Sequence, residues 1–441
     1  MAVNADGRSG QLKRDIGFFG ATFLVLNAVI GAGIFALPGK IAVNAGLLSP
    51  WLFLVVGALL ISVVLCLAEL SSYYQQTGGP VLYATDAFGP LAGFSTGWAI
   101  YLSRVTAFAA NSNVMATYLA SLHDFFAGDI ARGIIITTLT LGLTWANVRG
   151  VRDGVRTMAI FTFLKVTPLF LLILLGLQHV SGATLIPAAP FIIEELGGTT
   201  LLLIYAYVGF ETLGVTAGET SKPRRTIPMA YVGTTMGIAL LYFVVVLVFV
   251  SVISSDQYGE ATLVDVGRSL AGPFGAIAIT LAAVFSIGGN LAGSILGAPR
   301  IIFSMAENHM LPAWFARIHP TFSTPDRSIL LMAGMALVLA LTGSFVKLAI
   351  ASSVVRLLGY MVCIASIPAV RRNADAETRE RAFRLKGGYT VPIIALGICF
   401  WLLAQSRQES WIAVGILLSI GWLFYAVEKR TGKDQGIDHI S

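Results

Sequence analysis

Long apolar runs constrain the fold of this chain more strongly than any other feature of its sequence. A helix that crosses a bilayer needs about 20 consecutive apolar residues, and about twelve runs come near that length. Backbone polar groups in hydrocarbon must be satisfied within the protein, which leaves helices as the natural form for runs of this length. We therefore expect an all-α integral membrane protein with about twelve transmembrane helices. The expected spans are 17–38, 47–70, 91–121, 131–147, 156–178, 198–218, 228–253, 273–303, 328–343, 346–369, 389–406 and 410–427.

The composition agrees with a bilayer environment. Charged residues make up 12% of the chain and hydrophobic residues 56%, whereas soluble domains carry about 25% charged residues. Of the 29 Lys and Arg residues, 21 lie in alternate loops or at the adjoining span ends, which we assign to one side, five lie in the remaining loops or span ends, and three lie well inside spans. This bias predicts a cell-membrane protein with both termini in the cytoplasm. It also explains the net charge of +6 without a nucleic-acid partner.

Cysteine and histidine are placed in a way that argues against enzymatic or metal chemistry. Cys66, Cys363 and Cys399 all fall inside spans, and none has the spacing of a metal site. All five histidines lie in loops or at span ends. The sequence therefore predicts no cofactor, no metal site and no enzymatic activity.

A run of small residues in the first span, Gly31-Ala32-Gly33, permits three interpretations. As part of G-x-G-x-x-A it matches a dinucleotide-binding turn, but that turn needs a preceding strand and an acid about 20 residues later, and the next acid is Glu69. As a packing motif it would let two membrane helices approach closely. As a broken helix, ending near Pro38, it would leave backbone groups free to bind a ligand.

A second interruption, Tyr207-Val208-Gly209-Phe210, lies in the sixth span. Interrupted helices at corresponding positions of two halves indicate an inverted-repeat transporter with its site at the membrane midplane. The expected units are residues 1–178 with spans 1–5, residues 198–370 with spans 6–10, and residues 389–441 with the last two spans. This is a 5+5 inverted repeat with broken helices 1 and 6.

The two interruptions together suggest a site for a zwitterion. Its carboxylate would accept hydrogen bonds from freed N–H groups, its ammonium would donate to freed carbonyls, and the helix ends would add matching partial charges. The expected binding residues are Ile30, Gly31, Ala32, Gly33, Ile34, Tyr205, Ala206, Tyr207, Val208 and Gly209.

Four separated motifs resemble the amino acid–polyamine–organocation (APC) family of secondary transporters. They are GAGIFALPG at 31–39, LAELSSYYQQTGGPVLYATDAFG at 67–89, YAYVGFETLGVTAGETSKPRRTIPMA at 205–230 and ENHMLPAWFARIHPTFSTP at 307–325. Gln76 and Thr77 replace the family's usual small residues, and His309 stands where Gly is common. The resemblance covers about the first 340 residues, and the last two spans match in hydropathy only.

The resemblance implies roles for several side chains. Lys165 would place its ammonium where sodium-coupled relatives of this fold hold a cation, unless it reaches to a membrane interface instead. Glu211 would couple gating or protons to transport, or anchor the start of a half-helix. Tyr205 would gate the substrate or serve only as core packing, and Ala107 and Ser294 would shape the pocket.

Two arginines inside spans, Arg104 and Arg356, are less usual for such a protein. The resemblance puts Arg104 close to the pocket and Arg356 about one turn from it. Because arginine stays charged, each needs an acidic or carbonyl partner. They could pair with Glu211 or meet a carboxylate on the substrate, and either arrangement disfavours a cationic substrate. For Glu69, at the cytoplasmic end of the second span, we expect a structural role.

These features predict a secondary active transporter that moves amino acids by alternating access. We expect a neutral or acidic substrate and transport that is independent of Na⁺ and coupled to H⁺ or to exchange. The alternatives are an amine or polyamine transporter of the same fold and a non-transporting membrane sensor. The expected partners are the substrate, protons and the bilayer, in a monomer or a homodimer.

Overall fold

The computed structural model describes residues 17–74, 78–150, 154–185, 196–211 and 223–434, whose regular structure is entirely helical. Several expectations lie outside these residues: the cytoplasmic N-terminus, Gln76 and Thr77, and the 212–218 end of the sixth span. The α-helices are α1 (Phe18–Val29), α2 (Gly33–Ala45), α3 (Ser49–Tyr73), α4 (Pro80–Phe88), α5 (Pro90–Ala120), α6 (Asp129–Arg149), α7 (Gly154–Gly176), α8 (Gly182–Leu185), α9 (Leu196–Tyr207), α10 (Pro223–Val252), α11 (Leu263–Glu307), α12 (Asp326–Thr342), α13 (Phe345–Asn373), α14 (Ala376–Arg381), α15 (Thr390–Ala404) and α16 (Gln408–Asp434).

Several helical stretches have the length and composition needed to cross a membrane. Among the described residues there are six: Gly33–Tyr73, Thr162–His179, Thr226–Val252, Leu263–Glu307, Phe345–Asn373 and Gln408–Arg430. Large apolar side chains are exposed on the outer surface, among them Phe163 at 70%, Phe274 at 78% and Phe400 at 68%. A soluble protein rarely presents so much apolar surface to water, so this belt suits contact with lipid. The expected total of twelve spans stays a prediction.

Two interruptions divide apolar segments into half-helices. Helix α1 ends at Val29, Ile30 adopts φ −75° and ψ 85°, and α2 begins at Gly33. Helix α9 ends at Tyr207 and continues into a turn over residues 208–211, in which Gly209 has φ 122°. The expectation that the first broken segment ends near Pro38 is wrong, because α2 runs through Pro38 to Ala45. A proline removes one helical hydrogen bond, which bends a helix without having to end it.

A short helix, a glycine and a proline precede a long helix at two places in the chain. Helix α4 is followed by Gly89, with φ 88°, and Pro90 begins α5. In α11 the helical path breaks at Ala271 and Gly272, where Gly272 has φ 60°, and resumes at Pro273. Both glycines adopt a conformation that other residues rarely reach, and both prolines stand where a helix tolerates a missing N–H.

Helix α5 lies at the centre of the bundle and packs against α11, α12 and α13. Its buried positions include polar residues such as Ser103, Thr106, Asn111 and Asn113. Helix α2 packs against α9, so the two interrupted segments are neighbours. The core thus surrounds the two breaks.

The C-terminal ends of α3 and α13 are joined by a buried ion pair. Arg371 donates from Nε and Nη2 to the Glu69 carboxylate at 2.7 and 2.8 Å, and the N–H of Leu385 donates to the same carboxylate at 3.1 Å. Both ionic side chains are almost fully buried. The connection 371–388 contains α14 and folds back onto α3, where the Phe383 N–H donates to the Ser72 hydroxyl at 2.9 Å.

Candidate substrate site between the helix breaks

A cavity of about 810 Å³ lies between the two breaks. It is lined by the first break, α5, the end of α9, α11 and α13. The lining residues that the later sections use are Asn27, Gly31, Ala32, Gly33, Arg104, Ala107, Asn111, Tyr205, Val208, Gly209, Glu211, Asn290, Ser294 and Arg356. Gly78, Glu307 and Asn308 also line it, and Glu307 and Asn308 are exposed. The cavity therefore reaches the surface at the end of α11.

The first break presents backbone donors to this cavity. The N–H groups of Ala32, Gly33 and Ile34 have no hydrogen-bond acceptor among the described residues. They stand at the start of α2, where a helix leaves its first N–H groups unsatisfied and carries a positive partial charge. An anionic group in the cavity would find both features there.

Side chains that do not line the cavity donate hydrogen bonds to the carbonyls of the first break. The Lys165 ammonium donates to the carbonyl of Ile30 at 2.8 Å, the carbonyl of Asn27 at 3.2 Å and the Asn27 side-chain oxygen at 2.9 Å. The Ser286 hydroxyl donates to the carbonyls of Ile30 and Gly31 at 3.0 and 3.1 Å. Lys165 is fully buried and does not reach a membrane interface. It holds the bent backbone through these hydrogen bonds.

Two glycines allow the breaks to touch. A Cβ on Gly33 would lie 2.7 Å from the Cα of Ala206 in α9. A Cβ on Gly209 would collide with the carbonyl oxygen of Ala28. Contacts this short are not tolerated by real side chains, so a larger residue at either position would push the two half-helices apart.

A chain of polar side chains crosses the cavity wall. Asn290 of α11 donates to the carbonyl of Ala28 at 3.0 Å and accepts from Asn111 of α5 at 2.8 Å. The Tyr205 hydroxyl donates to the Asn111 side-chain oxygen at 2.5 Å. This network connects the first break, α11, α5 and α9, and it fixes the Tyr205 ring, which also packs against Phe345.

Glu211 closes the second break with three partners. Its carboxylate accepts from the N–H of Gly209 at 3.2 Å and from the Tyr360 hydroxyl at 2.8 Å, and it forms a buried ion pair with Arg356. Arg104 lies 3.6 Å from the same carboxylate. Of the alternatives left open by the sequence, the internal ion pair is present. The Arg356 side chain itself lines the cavity rather than standing one turn away.

The predicted site residues fall into two groups. Those that line the cavity are Gly31, Ala32, Gly33, Arg104, Ala107, Tyr205, Val208, Gly209, Glu211 and Ser294. Those that do not line it are Ile30, Ile34, Lys165, Ala206 and Tyr207. The Tyr207 hydroxyl instead donates to the carbonyl of Phe53 at 2.6 Å, and its ring packs against Tyr242. The roles assigned to both groups stay predictions.

Several residues that shape the site were missed in the sequence. Asn27, Asn111 and Asn290 carry hydrogen bonds at the breaks, and Ser286 and Tyr360 hold Ile30 and Glu211. An amide side chain in the middle of an apolar span costs free energy unless it is hydrogen-bonded. That rule alone would have singled out the three asparagines.

Comparisons with known proteins identify the family of this chain. A family model described as amino acid permease matches residues 16–426. The methylthioribose transporter of Bacillus subtilis (strain 168) is 26% identical, over 97% of this chain and 96% of its own length. The serine/threonine exchanger SteT of the same organism is 26% identical over 95% and 98%, and its branched-chain amino acid permease BcaP is 25% identical over 97% and 96%. This chain is therefore a multi-pass membrane protein that belongs to the amino acid permease family of the APC superfamily, a family of transporters and not of enzymes.

Proposed function

We propose that this permease carries a single amino acid across the plasma membrane by alternating access around the cavity between the two breaks. The observation that carries the proposal is the pair of N–H groups at Ala32 and Gly33, two residues that line the cavity and whose N–H groups have no acceptor among the described residues. The substrate carboxylate binds these donors. Its ammonium binds carbonyls at the opposite break, where α9 ends at Tyr207 and presents its negative end.

The proposed architecture has twelve spans in a 5+5 inverted repeat. Residues 1–178 and 198–370 form the two halves, and residues 389–441 contribute the last two spans and a cytoplasmic C-terminus. The repeated Gly-Pro junctions support this division, since Gly89-Pro90 and Gly272-Pro273 open long helices at corresponding places in the two halves. The two breaks, in the first span of each half, support it independently.

We assign coupling to Lys165 and Glu211. The Lys165 ammonium, fixed on the carbonyls of Asn27 and Ile30, stands in for a sodium ion and makes transport independent of Na⁺. Glu211 connects the second break to α13 through Arg356 and Tyr360, so a proton or a substrate that disturbs this contact also shifts the break. Transport is then driven by H⁺ or by exchange. Tyr205 acts as the gate over the bound substrate.

The charges around the cavity favour a neutral or acidic substrate. Arg104 and Arg356 share the Glu211 carboxylate, so a positively charged substrate side chain would meet two guanidinium groups. Ala107 and Ser294, on α5 and α11, line the cavity that would receive that side chain. A cationic amine or polyamine would need more acidic groups than Glu211 supplies at this depth.

A second candidate function is transport of a small molecule that is not an amino acid. The name of the methylthioribose transporter, which matches nearly the whole chain, is the observation in its favour. Such a ligand has no carboxylate for the first break. We therefore rank it below an amino acid.

Thermal unfolding of the purified protein with each of the twenty amino acids and with methylthioribose tests the proposal. A ligand that binds only the folded state stabilises it, by about 2.7 kcal/mol at 100 times its Kd. Counterflow of the labelled ligand into proteoliposomes then separates a transporter from a non-transporting sensor. Stabilisation by an amino acid together with counterflow supports the proposal. Stabilisation by methylthioribose alone, or binding without counterflow, contradicts it.

A further inference from the structure

A second cavity, of about 730 Å³, also lies at the cytoplasmic face but is separate from the cavity between the breaks. It sits between the ends of α3 and α4, the end of α13, α14 and the start of α15. Its lining residues are Tyr73, Ala87, Phe88, Ala365, Pro368, Ala369, Arg371, Arg372, Arg379, Arg384 and Tyr389. None of them lines the cavity between the breaks.

Four arginines converge on this cavity, and one of them is already neutralised. Arg371 is paired with the Glu69 carboxylate and lies over the Tyr389 ring, so its charge is already compensated within the protein. Arg372, Arg379 and Arg384 come from α13, α14 and the segment after α14, and all three are exposed. No carboxylate is among the lining residues, so the cavity carries an excess of positive charge.

The rim of the cavity is apolar on the side of the membrane belt. Phe88 and Tyr389 line it with 52% and 47% of their surfaces exposed. Ile393, one turn after Tyr389 in α15, is 66% exposed. Ala365 and Pro368 are exposed on α13, about two turns and one turn before Arg372, respectively. An apolar path therefore leads directly into a basic pocket.

We propose that this cavity binds the phosphate headgroup of an anionic phospholipid from the inner leaflet. The guanidinium groups of Arg372 and Arg384 hold the phosphate oxygens, and the acyl chains lie along the exposed apolar faces of α13 and α15. Basic pockets between transmembrane helices on the cytoplasmic side suit such headgroups. A soluble phosphate would use the arginines alone, whereas a lipid also covers Phe88 and Ile393, which is why we assign the site to a lipid.

The bound lipid would stabilise the contact of the connection 371–388 with α3. That connection reaches α3 through Arg371, Leu385 and a hydrogen bond from the N–H of Phe383 to the Ser72 hydroxyl at 2.9 Å. The arginines that hold the headgroup stand on the same connection. Lipid binding would therefore favour the docked position of this connection.

Native mass spectrometry of the purified permease, with phosphatidylglycerol and phosphatidylethanolamine added in equal amounts, tests the site. We expect the wild type to retain phosphatidylglycerol preferentially. In the double variant Arg372→Gln/Arg384→Gln, the ratio of bound phosphatidylglycerol to bound phosphatidylethanolamine should fall roughly tenfold. Each basic residue near an anionic headgroup adds to the electrostatic attraction, and this variant removes two. A control variant, Lys347→Gln/Arg407→Gln, removes two exposed charges assigned to the outer side, one in the first turn of α13 and one just before α16, and should retain the wild-type preference.

A second arm separates lipid from free phosphate. In detergent, we expect phosphatidylglycerol to raise the unfolding temperatures of the wild type and of the control variant by the same amount. Inorganic phosphate at the same concentration should have no effect on either. Unchanged lipid preference in the Arg372→Gln/Arg384→Gln variant would overturn the proposal. So would an equal loss in the control variant, or stabilisation by inorganic phosphate that matches that of the lipid.

Discussion

The two helix breaks lie against each other but are satisfied in opposite ways. At the first break, Lys165, Ser286 and Asn290 donate to the carbonyls, and the backbone N–H groups are left over. At the second, the Glu211 carboxylate accepts from the Gly209 N–H and is held by Arg356. The first break thus leaves donors at the cavity, and at the second break α9 ends at Tyr207 with the negative end of its helix dipole. Under the proposed function, this division sets a direction for a ligand with one positive and one negative end.

The side chains that hold the two breaks also differ in where they lie relative to the cavity. The Lys165 side chain lies behind the first break, outside the cavity, while Arg104 and Arg356 at the second break line the cavity itself. Substitutions behind the first break should therefore change whether the site exists. Substitutions at the second should change what the site binds and how it moves.

The largest effect is expected from Lys165→Ala. The carbonyls of Asn27 and Ile30 would lose their ammonium donor, and a buried acceptor without a partner costs about 1–3 kcal/mol. We expect uptake into proteoliposomes to fall to near background while the protein still elutes as a folded species. Ser286→Ala is the matched control, since it removes a neutral donor from the same Ile30 carbonyl and should reduce uptake only a few fold. Uptake unchanged in Lys165→Ala would refute the role of this residue.

Next in size is the effect of Gly33→Ala, which tests the contact between the breaks. The new Cβ would meet the backbone of Ala206, and backbone cannot move aside as a side chain can. We expect ligand affinity to fall by more than about tenfold, with a lower unfolding temperature. Gly237→Ala in α10 has open space around it and should keep wild-type affinity. If both variants bind alike in a titration, the breaks do not need this contact.

Two buried carboxylates allow the second break to be compared with a purely structural site. Glu211→Gln leaves Arg356 and Arg104 without their shared anion in the cavity, whereas Glu69→Gln leaves Arg371 unpaired far from it. Breaking a buried ion pair costs about 3–5 kcal/mol, so both variants should unfold at lower temperature. Only Glu211→Gln should also change ligand affinity and transport rate. Equal affinity in the two variants would place Glu211 outside the binding machinery.

The smallest effect is expected from removing one hydroxyl. Tyr205→Phe breaks the hydrogen bond to Asn111 in the cavity wall, a contact worth about 0.5–1.5 kcal/mol, and should weaken ligand binding about threefold to tenfold. Tyr207→Phe makes the same chemical change to a hydroxyl that bonds Phe53 outside the cavity. It should lower stability and leave affinity unchanged. Isothermal titration of both variants checks this, and a reversed ranking would exchange the roles of the two tyrosines.

Sequence patterns located the helices and the breaks well because both depend on local composition. The third span was expected at 91–121, and α5 occupies Pro90–Ala120. Gly31 and Gly209 marked the breaks, because glycine weakens a helix wherever it occurs. The end of the first broken segment was misplaced at Pro38, since one lost hydrogen bond does not end a helix that packing supports.

The parts of the site that escaped prediction depend on which helices pack together. Asn111 and Asn290 are far apart in sequence, and their hydrogen bond exists only because α5 and α11 are neighbours. Arg371 follows the tenth expected span, 346–369, and counts there as a loop charge, but it forms a buried ion pair with Glu69. Counting the charges in each loop cannot distinguish a buried, paired arginine from one that faces solvent. His309, in place of a common glycine, does adopt a positive φ of 54°, so the family's preference there has a backbone cause.

The role of the first break is tested most directly by exchange of a labelled amino acid substrate in proteoliposomes with and without sodium. If the Lys165 ammonium serves as the fixed cation at this break, the exchange rate is the same when all Na⁺ is replaced by choline. A rate that collapses when Na⁺ alone is removed would contradict the assignment of Lys165 and the account of the two breaks built on it.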